Sequence, residues 1–280
     1  MKNKSGIFIA IASITASLIS AITLAAPSQA ASCKAGALTT LTKGVLTIGT
    51  DDPAYSPWFD NNTPSNGKGF ESAVAYAVAK QLGYPTAKVK WVKAPFNSVI
   101  QPGKKSFDFD INEVSITKER AKAVDFSSGY YDVAQAIVTV TGSKIEKAKS
   151  IKALSSAKLG AAVGTTSYTT ITDVIKPKTK PAVFDTNDVA TQALTNGQID
   201  GLVLDLPTAF YVAYAQLKNG AIVGQLPAKK GSEQFGLVLS KGSPLTSCVT
   251  KAVDALRTKG SLTAIATKWL SSSAGVPVLK

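Results

Sequence analysis

Short apolar runs rich in β-branched residues alternate along this chain with segments of helical periodicity. Such alternation is typical of an α/β fold. In one segment, Phe70, Val74, Val78 and Leu82 recur every four residues and stop at Gly83, which predicts an amphipathic helix that ends at a glycine. Strands are predicted over residues 45–50, 88–92, 109–115, 135–141, 158–163, 182–184, 201–205, 221–225 and 236–240.

Two segments between these elements predict a division into two α/β lobes. The lysine-rich residues 142–152 look like a crossover from one lobe to the other, and a second crossover is predicted near residues 231–235. The first lobe is therefore predicted to be discontinuous, with residues 31–141 plus 236–280, and the second lobe to comprise residues 142–235.

The amino-terminal residues 1–30 have the order of a secretory signal peptide. Lys2 and Lys4 precede an apolar stretch over residues 6–26, and the small residues that follow place cleavage after Ala30. Because the apolar stretch is long for a signal, an uncleaved membrane anchor is the alternative. We therefore expect an exported protein, periplasmic or extracellular and associated with the cell envelope.

The chain carries a formal net charge of +13 at pH 7, and nearly all of its basic residues are lysines. These lysines are scattered, and they lack the arginine and aromatic interleaving of a nucleic-acid platform. A solvated surface that faces a cell wall or a membrane is the better interpretation. No nucleic-acid partner is expected.

The sequence has two cysteines, Cys33 and Cys248, and no histidine. Export permits a disulfide between the two cysteines, which is our prediction; the alternatives are a lipid-modified Cys33 and a plain buried Cys248. The absence of histidine excludes a Ser-His-Asp triad, a Cys-His pair and most zinc sites. No metal or cofactor is expected, so catalysis would have to rest on carboxylates, lysines, tyrosines or hydroxyls.

Arg120 is the most informative polar residue, because the chain has only one other arginine beside many lysines. It follows Thr117, a plausible N-cap, by three residues, so a cation stands in the first turn of a short helix, where the helix dipole favours anions. That placement makes sense if an anion shares the site. A guanidinium binds a carboxylate through two parallel hydrogen bonds, which a lysine does not. The alternative is a solvated helix residue.

Polar residues follow several of the predicted strands, where ligands bind in open α/β sheets. The segment 164–167 also opens a helix, whose free backbone N–H groups suit a carboxylate. An arginine and free helix amides can bind a carboxylate, and an aspartate can bind an ammonium. These are the two charged ends of an amino acid. The alternatives are helix caps, turn formers and core aromatics. The residues concerned are Asp51, Asp52, Tyr55, Trp58, Phe59, Phe96, Ser115, Arg120, Thr166, Ser167 and Asp205.

Several separated motifs occur in a fixed order: Gly49-Thr50-Asp51 with Tyr55-Ser56-Pro57-Trp58, Gly69-Phe70-Glu71, Ser115-Ile116-Thr117 through Arg120 to Val124-Asp125-Phe126-Ser127, Val163-Gly164-Thr165-Thr166-Ser167, and Asp205. Together they resemble the extracellular solute-binding proteins of polar amino acid ABC importers, solute-binding family 3. The resemblance implies a two-lobe periplasmic-binding-protein-like fold (type II), with a ligand cleft between lobes joined by two crossover strands. It also implies a non-enzymatic monomer that captures an amino acid by lobe closure and delivers it to the membrane permease of an ABC importer.

Carried over by position, the resemblance implies that Arg120 binds the α-carboxylate of the ligand. Ser115 and the amide of Thr166 would assist it, and Ser167 is a further predicted ligand-binding residue. Asp205 would take the α-ammonium. The expected ligand therefore spans two poles of opposite charge.

The resemblance further implies that Tyr55 and Phe96 pack against the ligand side chain and that Asp51 contacts its tip. The sequence departs from the family pattern at Asn112 and Glu113, where small residues are frequent. A carboxylate at residue 113 offers a second acceptor for the α-ammonium or a counter-charge for a cationic side chain. We therefore favour arginine, lysine or a neutral polar amino acid over glutamate.

Three alternative interpretations remain, and two of them concern Glu113. A dehydratase of the cyclohexadienyl or arogenate type resembles these binding proteins, and Glu113 would be its general acid, with a pKa raised by burial. A structural ion pair with a lysine such as Lys93 is the other alternative for this residue. An uncleaved signal would instead favour an anchored adhesin or sensor lobe.

Overall fold

The computed structural model describes residues 1, 33–228, 231, 233–271 and 275–280, so the predicted signal peptide lies outside the described residues apart from its first one. The chain divides into two units, Met1–Ala31 and Ser32–Lys280. Every element below belongs to the second unit. Among the helices of the described residues, none has both the length and the apolar character that a membrane crossing requires.

The strands, in chain order, are β1 (Leu46–Thr50), β2 (Val89–Lys93), β3 (Phe109–Asp110), β4 (Val124–Asp132), β5 (Gln135–Val140), β6 (Leu159–Ala162), β7 (Ala182–Phe184), β8 (Gly201–Asp205), β9 (Gly220–Gln225) and β10 (Gln234–Ser240). The helices are α1 (Phe70–Gln81), α2 (Phe96–Val99), α3 (Arg120–Ala123), α4 (Thr166–Thr170), α5 (Asn187–Thr195), α6 (Leu206–Tyr211), α7 (Thr246–Thr258) and α8 (Ser261–Leu270). Helices α4 and α6 continue into π-helical turns over Ile171–Ile175 and Val212–Gln216.

The first sheet has the strand order β2-β1-β3-β10-β4. Strands β1, β2 and β3 run parallel, and β10 pairs antiparallel with β3 and β4. The apolar face of α1 packs here as predicted, with Phe70, Val74 and Val78 fully buried beside Trp58 and Phe235. This core fixes the carboxyl ends of β1 and β3, which carry site residues.

The second sheet has the strand order β7-β6-β8-β5-β9. Strands β6, β7 and β8 are parallel, and β5 is antiparallel to β8 and β9. Separate apolar clusters lie on this sheet, one around Ile137 and Leu159 and one around Leu194 and Leu202. Two sheets with their own cores confirm the predicted α/β fold of two lobes.

Among the described residues, a first passage between the sheets is residues 133–134, and a second passage between β9 and β10 includes residues 226–228, 231 and 233. The prediction that the first lobe runs to residue 141 is therefore wrong for β5, which belongs to the second sheet by its pairing. The first passage is only two residues long and has no distinctive composition. The lysine-rich stretch that drew the prediction instead forms turns after β5. The carboxyl-terminal segment also returns to the second sheet, where Val278 pairs with Gln225 and Leu279 is buried, so the predicted placement of residues 236–280 in the first lobe is wrong for this end of the chain.

Strand ends agree with the predictions within two residues, except in β3, which stops at Asp110 instead of residue 115. Glu113 lies in the left-handed region at φ 54°, so the chain turns out of the sheet there. Strand β4 was not predicted, because its Asp, Ser and Gly residues have low strand propensity. Pairing with β10 along most of its length holds it extended.

The predicted disulfide is confirmed between Cys33 and Cys248, whose Cα atoms are 5.2 Å apart. It ties the start of the second unit to the buried face of α7. The bridge spans 215 residues of chain, and closing so long a loop stabilises the fold mainly by restricting the unfolded chain.

Candidate functional site in the cleft between the lobes

A cleft with about 870 Å³ of empty space, including the part open to solvent, lies between the two sheets. It is bordered by the segments that follow β1, β3, β6 and β8, as expected for a ligand site in an α/β protein. Of the predicted ligand-binding residues, those that line it are Asp51, Tyr55, Phe96, Glu113, Ser115, Arg120, Thr166 and Asp205. Ser167 lies behind this lining.

Arg120 opens α3 and is 9% exposed. Its peptide N–H donates to Thr117 Oγ1 (3.1 Å), which is the bond that the sequence predicts, although the N-cap position of α3 is Glu119. The guanidinium donates to Ser115 O (2.6 Å) and Gly164 O (2.8 Å) and lies 5.3 Å above the Phe96 ring. It retains further N–H donors for a ligand.

Gly164 is required at this contact. Its φ of 74° is left-handed, and a Cβ there would stand 2.8 Å from Asn97 Oδ1. The helix that follows is capped by Thr165, whose side chain accepts from Tyr168 N, so the cap is neither Thr166 nor Ser167. Both of those side chains are thereby available for other partners.

Asp205 ends β8, opposite Gln135 of β5. It stands at the N-cap of α6 but makes no side-chain cap bond there; its Oδ1 instead accepts from Gln135 Nε2 (2.6 Å). Ser167 Oγ donates to Gln135 Oε1 (2.7 Å), which directs the amide N–H groups of Gln135 at Asp205. Burial, followed by the charge of Glu233, raises the pKa of Asp205 well above its usual range.

Glu233, in the second passage between the sheets, holds the hydroxyls of one residue from each lobe. Its Oε1 accepts from Ser115 Oγ (2.7 Å) and from Thr166 Oγ1 (2.6 Å), and Gln135 Nε2 lies 3.2 Å away. Burial lowers the pKa of Arg120, and the charges of Asp205 and Glu233 act in the opposite direction. Sequence reasoning missed Gln135 and Glu233, because their partners are 32 to 118 residues distant.

Glu113 reaches across the cleft to the second lobe. Its Oε2 accepts from Thr208 Oγ1 (2.8 Å), and Thr208 Oγ1 in turn accepts from the indole N–H of Trp58 (2.8 Å). Burial and then the charge of Glu71 raise the pKa of Glu113 well above its usual range. The ion pair with Lys93 that was the alternative for Glu113 is not formed, since Lys93 pairs with Asp52 at 3.3 Å.

Two further acids lie beneath Glu113 in the first lobe. Glu71 is fully buried and accepts from Tyr130 Oη and from Glu113 N, and burial raises its pKa to about 7. Asp110 is also fully buried, and neither of its carboxyl oxygens has a hydrogen-bond partner among the described residues. Burial and then Glu71 raise the pKa of Asp110 well above its usual range.

Tyr55 and Asp51 border the other end of the cleft. The Tyr55 hydroxyl donates to Asp188 Oδ2 of α5 (2.8 Å), which is a further direct contact between the lobes. Burial and the contact with Asp188 raise the pKa of Tyr55. Asp51 accepts from its neighbour Asp52 N (2.8 Å) and from Phe96 N (3.4 Å), so it also secures the start of α2.

Two lobes that meet over a cleft lined by one guanidinium, several carboxylates and hydroxyls define a two-lobe ligand-binding protein. The chain belongs to the bacterial extracellular solute-binding proteins, family 3, whose sequence model matches residues 46–272. That match confirms the family resemblance of the motifs.

Individual relatives agree with this assignment. The chain is 29% identical over 252 residues to the L-arginine-binding protein of Pseudomonas aeruginosa, covering 84% of this chain and 95% of that protein. It matches an ancestral arginine-binding protein solved with arginine, at 31% identity and TM-score 0.66, over 81% of this chain and 98% of that one. An ancestral amino acid-binding protein described as a precursor of cyclohexadienyl dehydratase matches at 31% identity and TM-score 0.64, over 81% and 95%.

Proposed function

We propose that this chain is the substrate-binding component of an ABC transporter and that it captures an amino acid by lobe closure for delivery to a membrane permease. The observation that carries the proposal is the presence of Arg120 and Asp205 on opposite lobes in the lining of one cleft. Their opposite charges match an α-carboxylate and an α-ammonium. The family and its named relatives support the same class of function.

The ligand side chain is proposed to be cationic or neutral and polar. Besides Asp205, the cleft is lined by Asp51, Asp52, Glu113 and Asp185, whereas Arg120 is the basic residue of the lining. A second anionic group on the ligand would therefore meet like charges in a poorly hydrated space. Arginine and lysine would supply the missing positive charge, and a neutral amide such as glutamine would accept or donate hydrogen bonds.

A thermal-shift screen of the twenty proteinogenic amino acids tests this function. A ligand at about one hundred times its dissociation constant adds about 2.7 kcal/mol to the free energy of unfolding. Stabilisation by arginine, lysine or a neutral polar amino acid, followed by saturable one-to-one binding in calorimetry, is the expected result. Selective binding of glutamate or aspartate would contradict the ligand class, and no binding of any amino acid would contradict the function.

A dehydratase with Glu113 as general acid is not favoured, because the carboxyl of Glu113 is engaged with Thr208 and the named relatives are binding proteins. Incubation with prephenate and arogenate, with product analysis, separates the two functions. Product formation that disappears in Glu113→Gln would establish the enzyme instead.

The proposed location is outside the cytoplasmic membrane, as for the extracellular family to which the chain belongs, and the proposed state is a monomer. Mass spectrometry of the secreted protein should find a mature amino terminus after Ala30. Retention of residues 1–30 in the membrane fraction would instead support the anchored alternative. Size-exclusion chromatography with light scattering measures the oligomeric state directly.

A further inference from the structure

We infer that Glu233 is a positioning residue that sets the polarity of the cleft wall between Arg120 and Asp205. It does so by taking the hydroxyl protons of Ser115 and Thr166. Both hydroxyls then face the ligand as hydrogen-bond acceptors, so this part of the wall selects for the α-ammonium. The inference deepens the proposed function and rests on it.

The hydrogen-bond geometry at Glu233 fixes the direction of both hydroxyl protons. Ser115 Oγ and Thr166 Oγ1 lie 2.7 and 2.6 Å from the same oxygen, Oε1. A carboxylate only accepts, and a serine or threonine hydroxyl has a single proton to donate. Bonds to an ionised acceptor are also the stronger kind. The two hydroxyls, 3.4 Å apart, therefore both donate to Glu233.

Ser115 and Thr166 both line the cleft, and the protons of their hydroxyls are directed at Glu233 and are not available to a ligand. Each hydroxyl can therefore contact a ligand only through an oxygen lone pair. A lone pair accepts a hydrogen bond from an N–H donor and repels a carboxylate. Asp205 lines the same cleft. An ammonium that contacts Asp205 would thus meet further acceptors from Ser115 and Thr166.

The orientation of Gln135 is fixed in the same network. Ser167 Oγ donates to Gln135 Oε1, which leaves the amide N–H groups to bond Asp205 Oδ1 and Glu233 Oε1. Each polar group behind the wall therefore has a defined donor or acceptor role. The carboxylate of the ligand is left to Arg120 and to backbone N–H groups.

Calorimetry with matched ligand pairs tests the inference on the purified mature protein. Each pair joins an amino acid to the same molecule without its α-ammonium: L-arginine with 5-guanidinopentanoate, L-lysine with 6-aminohexanoate, and L-glutamine with glutaramate. The quantity compared is the ratio of the two dissociation constants within a pair. A loss of fold or of closure weakens both members alike, whereas a change in wall polarity changes the ratio.

Glu233→Leu frees both hydroxyl protons, and Glu233→Gln keeps an acceptor oxygen at nearly the same position. We expect the leucine variant to reduce the preference for the amino acid, measured as the ratio of dissociation constants, at least tenfold. The glutamine variant should reduce that ratio clearly less. Glu119→Leu is the control for loss of a carboxylate, because Glu119 pairs with Lys122 on the surface. That control should leave the ratio unchanged.

Thr166→Val provides a second measurement if the leucine variant does not fold. It removes one acceptor, so it should weaken L-arginine binding several-fold more than 5-guanidinopentanoate binding. An unchanged ratio in a folded Glu233→Leu protein, or equal weakening of both ligands by Thr166→Val, would overturn the inference while amino acid binding stands. If the wild-type protein binds no member of the three pairs, the proposed ligand class fails and the inference falls with it.

Discussion

Thr208 of the second lobe donates its hydroxyl proton to Glu113 of the first lobe across 2.8 Å, while the buried indole N–H of Trp58 donates to the same hydroxyl. Closure of the lobes would otherwise leave these three polar groups without hydrogen-bond partners. In this arrangement the carboxyl, the hydroxyl and the indole N–H bond one another. The hydrogen bonds of Thr208 with Glu113 and Trp58 can therefore form only when the lobes are closed.

Thr208→Val should weaken the closed form, because valine keeps the shape of threonine but leaves the Trp58 N–H and the Glu113 carboxyl without this partner. A buried group left without its bond costs about 1–3 kcal/mol, which corresponds to an affinity roughly 5- to 150-fold lower. Calorimetry measures the affinity, and small-angle X-ray scattering measures compaction on ligand addition. The exposed Thr169→Val is the matched control, and equal effects of the two substitutions would contradict the closure role.

Arg120→Ala should abolish measurable amino acid binding, because the α-carboxylate would be buried without its partner. Losses of this kind run to about 2–5 kcal/mol. Arg257→Ala offers a control with the other arginine, which is exposed in the last turn of α7. Near-normal affinity in Arg120→Ala would show that the carboxylate binds elsewhere.

The stability of the ligand-free protein should fall as the pH rises from about 4.5 to about 7. Glu71 has its pKa raised by burial to about 7 from an ordinary 4.5, so in this window the folded state binds more protons than the unfolded chain. By linkage, the free energy of unfolding then decreases with pH, by roughly 3 kcal/mol from this group at most. Thermal or urea denaturation across this window should show a flatter profile for Glu71→Gln than for wild type.

Glu119→Gln provides the control for that measurement, since it removes an exposed carboxyl instead of a buried one. Tyr130 and the amide of Glu113 still find an acceptor in the glutamine side chain of Glu71→Gln. A wild-type stability that stays flat or rises through this window would contradict the raised pKa of Glu71.

The affinity for L-arginine should rise with pH over the range in which Glu113 and Asp205 lose their protons. The pKa of each is raised well above its usual range, chiefly by burial. A cationic ligand favours the ionised carboxyls, so its binding releases protons and strengthens as the pH increases. Calorimetry in buffers of different ionisation enthalpy reports this proton release, and proton uptake on binding would contradict the assignment.

Removing the disulfide should lower the free energy of unfolding by about 2–4 kcal/mol without changing ligand affinity. The bridge joins the amino-terminal segment to α7, and neither cysteine lines the cleft. Denaturation of Cys33→Ser, Cys248→Ser and the double variant should give similar losses. Free-thiol titration of the denatured, unreduced wild type should find no thiol.

The sequence by itself determined the α/β class, most strand positions, the helix α1 and the residue types at the strand ends. These features depend on local periodicity, on turn residues and on motifs that are contiguous in the chain. For the same reason Arg120, Thr166 and Asp205 were recognisable as candidates. The disulfide was predictable because only two cysteines are present.

Tertiary structure alone decided which residues form hydrogen bonds with the predicted site residues. Glu233, Gln135 and Thr208 act through partners far away in the sequence, and no local pattern marks them. The passage at residues 133–134 also escaped prediction, since strand pairing rather than composition assigns β5 to the second sheet. The direction in which a hydroxyl proton points depends on which acceptor the fold brings near it, and that acceptor is contributed by a distant segment.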